Sequence, residues 1–237
     1  MIIIQPTILL FLSYFLTIRI AKYFKVNQIT ITAVFILKTI ISLYYIPIAK
    51  NADIDAYGYF EYALGNFKAP YFAFYGTDLL FHFSYFLRVY LNFDIVSMTF
   101  LYSFIGNIGT IIFASNIRDL TKNADNNLKL ISQLIIFFPT LNLHISSIGK
   151  DAITFTCINL IIYCFINIRS RILILISSML LFAIIRPING IILFLAFLFS
   201  QISKNNLKIF QKIIIGLITF TGLIFFNANV AERMPYL

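Results

Sequence analysis

Apolar runs of about membrane thickness alternate with short polar punctuation along nearly the whole chain. Residues 2–18 are apolar and lead into Arg19, Lys22 and Lys25. Residues 29–49 form a second run, with Lys38 near its centre. A polar stretch, 51–78, comes next, and after it a fifteen-residue apolar segment, 79–93, containing His82 and Arg88. Further runs cover 95–116, 130–147, 152–168, 172–200 (broken by Arg186-Pro187) and 213–226. A helix needs about 20 apolar residues to cross a bilayer. The pattern therefore predicts an all-α, polytopic transmembrane bundle of about seven or eight spanning helices, folded as one integral membrane domain over 1–237. Residues 2–18 read as a retained helix, because no small-residue cleavage site follows them.

Segment 79–93 is short for a span, and the basic residues decide how it lies. If it crosses the membrane, the clusters at 19–25 and 118–129 fall on opposite faces. If it lies along the surface as an amphipathic helix, the clusters at 19–25, 118–129, 169–171 and 204–212 share one side, carrying eleven of the eighteen Lys and Arg. An excess of Lys and Arg marks the cytoplasmic side. The second arrangement is expected, with 50–93 an extracytoplasmic loop plus juxtamembrane helix. The 51–78 stretch, Lys150-Asp151, Arg186 and the C-terminal tail then share the outer face.

Composition agrees. Sixty per cent of the residues are hydrophobic and 11% charged, and the mean hydropathy is +0.91, whereas soluble domains carry about 25% charged residues. The net charge of +9 sits in short clusters between apolar runs, so it orients helices and does not imply a nucleic-acid partner. Cys157 and Cys164 fall in one apolar run and read as lipid-facing or core residues, not as a disulfide or metal site. No zinc spacing, nucleophile elbow, phosphate loop or dinucleotide fingerprint is present. Gly106 and Gly109, within a span, suit close helix packing.

Candidate chemistry gathers at two places. The 51–78 stretch holds four of the nine acidic residues (Asp53, Asp55, Glu61 and Asp78) and five of the fourteen tyrosines. Asp53 and Asp55 are the candidate catalytic residues: a carboxylate there can take a proton from a sugar hydroxyl or hold a divalent cation against a phosphate. Glu61 is the reserve, and Tyr57, Tyr59 and Tyr62 suit stacking on sugar rings; solvated loop acids and interfacial tyrosines are the plainer alternative. In the second place, 138–151, Pro139 should kink or end a helix, and Asn142, His144, Ser146 and Ser147 should face the protein interior. Lys150 and Asp151 close that segment, either as a local ion pair or as a phosphate contact. Arg186 needs an internal acid or an anionic ligand, and its guanidinium fork fits phosphate oxygens. Lys38 and Arg88 have stems long enough to reach an interface, and for Lys38 this structural role is expected.

The segments DIDAYGYFEYA (53–63), FPTLNLHISSIGKDAITF (138–155) and IIRPING (184–190) together resemble the polytopic bacterial polysaccharide polymerases and glycosyltransferases of the O-antigen polymerase (Wzy-like) and GT-C-related kind. The likeness covers roughly residues 50–200, and the chain is shorter than most of that group. The resemblance implies a multi-pass protein of the bacterial cytoplasmic (inner) membrane that joins polyprenyl-phosphate- or diphosphate-linked sugar units to a glycan acceptor at the outer face, for polysaccharide biosynthesis at the cell surface. It implies Asp53 or Asp55 as the base on the acceptor hydroxyl, and Lys150 and Arg186 as holders of the phosphate leaving group. Asp151, His144, Tyr57 and Glu61 complete the expected substrate site. It requires no cofactor beyond a cation at Asp53 and Asp55, and other polysaccharide-assembly membrane proteins would be its neighbours. A non-catalytic transport (flippase-like) component, with Lys38, Arg88 and Arg186 lining a path for an anionic lipid, is the alternative.

Overall fold

The computed structural model describes residues 4–51, 55–61, 76–166 and 168–203. Among them every regular element is a helix. They fall into two compact units, 1–185 and 186–237. The first unit runs α1 Ile4–Tyr23, α2 Gln28–Asn51, α3 Asp55–Glu61, α4 Thr77–Val89, α5 Ile95–Leu120, α6 Asn126–Leu134, a 3-10 turn Ile135–Phe137, α7 Pro139–Ile145, α8 Lys150–Ile166 and α9 Ile168–Ile185. The second unit begins at Arg186 and contains α10, Pro187–Ser203.

Three described helices, α1, α2 and α5, are long and apolar enough to cross a membrane, and α6 with its 3-10 turn plus α7 makes a fourth if that bent pair counts as one span. Alongside buried apolar residues such as Ile31 and Val34, the outer helices bury small and polar residues and expose many large apolar ones. On α1 the buried positions are Pro6, Ser13, Thr17 and Ala21, while Phe11, Leu12 and Phe15 are exposed. On α2 Lys38 and Ser42 are buried, while Ile36, Ile40 and Leu43 face outward. Lipid tails solvate the large apolar side chains, so small and polar residues are left to make the helix contacts.

The centre is α5. Of its spanning window 67% is buried, against 22% for α1 and for α2, and it packs on α1, α2 and α8. Gly106 and Gly109 permit this: a Cβ on Gly106 would lie 2.0 Å from Ile145 O, and one on Gly109 would lie 2.6 Å from Thr156 Oγ1. Asp94 caps the helix, its Oδ1 accepting from Ser97 N at 2.7 Å. Cys157 and Cys164, on α8, are buried free thiols.

The two ends of the first unit differ in chemistry. At one end Arg118, near the close of α5, donates to Phe24 O (2.9 Å) and Lys25 O (2.5 Å), bridging to the α1–α2 turn beside Arg19 and Lys22 of α1. At the other end Ala56, Tyr59 and Phe60 of α3, Leu80 and Leu87 of α4, Ile148 and Ala152 form one apolar cluster with Ala49 and Met98. There α3 and α4 cover the tops of α2, α5 and α8. Helix α4 has 13 residues, about 20 Å at 1.5 Å per residue, less than the roughly 30 Å hydrocarbon core. Within the segment expected at 79–93, Leu80, Ser84 and Leu87 are buried, and the apolar Tyr85, Phe86 and Val89 are exposed.

The segment expected over 130–147 is broken at Pro139, as the proline predicts. α6 with its 3-10 turn meets α7 at 43°, because Pro139 opens α7 and offers no amide to the preceding turn. Asn142 fills the gap, its Nδ2 donating to Ile136 O (2.8 Å) and Phe138 O (3.0 Å).

Candidate functional site

The end of the bundle covered by α3 and α4 brings together part of the expected constellation. The α7–α8 turn crowds His144, Lys150 and Asp151 into one patch. His144, at the end of α7, is exposed, and its Nδ1 stands 3.9 Å from Asp151 Oδ2. Asp151 lies in the first turn of α8, where a carboxylate is favoured by the N-terminal end of the helix dipole. Lys150 starts α8, and its Nζ donates to Thr77 Oγ1 at 2.5 Å. Thr77 is the first residue of α4.

The position of Thr77 is fixed by Gly76. Its φ of +66° and ψ of −132° is a backbone conformation that side-chain-bearing residues avoid. Gly76 N donates to Ile184 O at 2.7 Å. The start of α4 is thus held between the head of α8 and the end of α9. Lys150 supplies a cation at a helix N-terminus, where amide groups and the dipole favour an anion.

Helix α3 adds Tyr57 and Glu61, four residues apart and so on one face. The Tyr57 phenol is held above its ordinary value, first by its hydrogen bond to the Glu61 carboxylate, with smaller contributions from burial and from the Glu61 charge. Asp53 lies outside the described residues, as do Tyr62, Tyr71 and Tyr75, and Asp55 opens α3 with its side chain outside them. Among the described residues no group of three His, Cys, Asp or Glu side chains assembles. Arg186 sits at the α9–α10 break and heads the second unit.

Two side chains depart from expectation: His144, expected to face the interior, is exposed, and Lys38, expected to reach an interface, is buried. Lys38 does not reach an interface: it is 1% exposed, and its Nζ donates to Thr110 Oγ1 on α5 at 2.8 Å. It is the eleventh residue of the 24-residue α2, about 15 Å from the helix start and so near mid-membrane depth. The polar groups near it on α5 are also committed inward, with Asn107 Nδ2 donating to Thr17 Oγ1 (2.9 Å) and Thr110 Oγ1 to Gly106 O (3.0 Å). The sequence signal that could have exposed Lys38 is the i, i+4 pairing with Ser42, which places both on one polar stripe of α2. Arg88 stays at the α4 end, its guanidinium 4.2 Å above the Phe60 ring and donating to Phe93 O at 3.2 Å, so it ties α4 to α3. No protein-family model, curated protein or solved structure matches the chain.

Proposed function

We propose that this chain is a multi-pass glycosyltransferase or polymerase of the bacterial cytoplasmic membrane. It would join polyprenyl-phosphate- or diphosphate-linked sugar units at the outer face. In this reading the bundle has seven or eight spans, the Arg19–Lys25 and Arg118 end is cytoplasmic, and α4 lies along the outer surface. The observation that carries it is the grouping of Lys150, Asp151 and His144 at the α7–α8 turn, with Lys150 tied to Thr77 at the head of α4, at the end away from the basic cluster.

Lys150 would hold the phosphate of the donor. A base, Asp53 or Asp55 by the family resemblance, takes the proton of the acceptor hydroxyl. The acceptor oxygen bonds to the anomeric carbon, the bond from that carbon to the phosphate oxygen breaks, and the leaving (di)phosphate keeps the electron pair beside Lys150. Tyr57 and Glu61, one helical turn apart, would face the sugar.

Buried Lys38 favours a second reading, transport of the lipid-linked unit, because an ionisable group at mid-depth often marks a path for an anion or a proton. One experiment separates the two. A strain lacking the gene is complemented with wild type, Asp53→Asn, Asp55→Asn, Lys150→Ala, Arg186→Ala or Lys38→Met, and each protein's level in the membrane is checked. Short polymer with lipid-linked units accumulating on the outer leaflet in Lys150→Ala supports the transferase. Units trapped on the inner leaflet in Lys38→Met support transport. Unchanged polysaccharide in the deletion strain overturns both.

A further inference from the structure

A cleft lies far from this patch, at the basic end, between α1 and α2. It encloses about 520 Å³ and is lined by Phe15, Ile18, Arg19, Lys22 and Gln28. We propose that it is a binding site for the headgroup of an anionic phospholipid.

The wall is built for such a molecule. Phe15, Arg19 and Lys22 recur at i, i+4 and i+7, which sets one aromatic ring and two cations on a single face of α1. The Arg19 guanidinium stands 4.9 Å from the Phe15 ring centroid, a cation–π contact that holds it against the helix. Gln28, the first residue of α2, brings the amide end of a 24-residue helix to the rim. Among the described residues neither Arg19 nor Lys22 has a carboxylate in ion-pair range. Arg118 at the same end is different, being taken up by Asp119, Phe24 O, Lys25 O and Ser115 Oγ.

The ligand is a lipid and not a free anion because of what surrounds the cleft. Phe15 lines the cleft itself, and exposed apolar side chains continue along both helices, Phe11 and Leu12 on α1 and Ile36 and Ile40 on α2. An acyl chain can follow those faces while its phosphate stays at Arg19 and Lys22. Basic pockets between helix ends are suited to acidic headgroups in this way. The inference needs only that these helices meet a bilayer, and is independent of the chemistry proposed at the opposite end.

The test uses the full chain purified in a zwitterionic detergent. Retention of added phosphatidylglycerol and phosphatidylcholine is measured by native mass spectrometry as apparent dissociation constants. Wild type should retain phosphatidylglycerol selectively, and Arg19→Gln/Lys22→Gln should weaken that binding about 30-fold, at roughly a factor of five per charge. Both side chains are exposed, and an unchanged melting temperature verifies that the variant is folded. Lys122→Gln/Lys129→Gln, an equal charge change nearby, should leave retention as in wild type. Equal binding in the Arg19→Gln/Lys22→Gln protein, an equal loss in the control pair, or displacement by millimolar inorganic phosphate would each overturn the site as one for lipid.

Discussion

Gly106→Ala tests the closest approach in the bundle. The added methyl would lie 2.0 Å from the carbonyl oxygen of Ile145, where real contacts do not fall below 3.0 Å. Backbone must therefore move by about 1 Å, and the moving part is the end of α7. Forcing such an overlap costs about 1–3 kcal/mol. The shift also strains the bond from Ser42 Oγ to Ser146 O, 3.2 Å long and buried, worth about 0.5–1.5 kcal/mol. Better helix propensity returns up to about 1 kcal/mol. The expected net loss is about 1–3 kcal/mol, read from SDS-driven unfolding of the purified protein in mixed micelles. Gly58→Ala is the reference: it lies in α3 with nothing within 4 Å of its added Cβ, so it should be neutral or stabilising by up to about 1 kcal/mol. A Gly106→Ala protein as stable as wild type would refute the packing of α7 on α5.

Thr110→Val should cost about 1–3 kcal/mol, since it leaves the buried Lys38 amine without its acceptor. Lys38→Met should be neutral or stabilising and should rescue Thr110→Val in the double variant, because an apolar residue of similar volume replaces a buried polar pair at little cost; failure to rescue would count against the pairing. Arg88→Gln removes the guanidinium from the Phe60 ring and should lower stability by about 0.5–1 kcal/mol, with faster amide exchange across α3 by mass spectrometry. Glu61→Gln should bring the Tyr57 phenol back toward its ordinary value, followed by carbon-13 tyrosine NMR. The sign follows from the raised value: the Glu61 contact stabilises the folded protein fully below the ordinary tyrosine range and loses that effect as pH rises through the raised value.

The apolar helices and the shortness of α4 were legible because both are properties of a single segment. A run such as 95–116 is apolar whatever surrounds it, and Leu80, Ser84 and Leu87 repeat at helical spacing over two turns. Pro139 likewise announced its break, since a missing amide is a local fact. Lys38 was not legible. Its stem is long enough to reach an interface, and only the position of Thr110, 72 residues away, makes the inward conformer the stable one. The same holds for Thr77, which becomes a partner of Lys150 only because Gly76 is anchored on Ile184. Pair geometry across helices is set by packing, and one sequence does not carry it.

The Lys38–Thr110 contact also has a consequence for the protein's synthesis. Helix α2 leaves the ribosome before α5, so its lysine meets the bilayer 72 residues ahead of its hydrogen-bond acceptor. At about 5–20 residues per second the interval is roughly 4–14 seconds. A lysine at a helix centre opposes insertion by about 2.5–3.5 kcal/mol. Until α5 arrives, that cost is left to the apolar residues of α2, each of which favours insertion by a few tenths of a kcal/mol, and to the lysine stem reaching toward an interface.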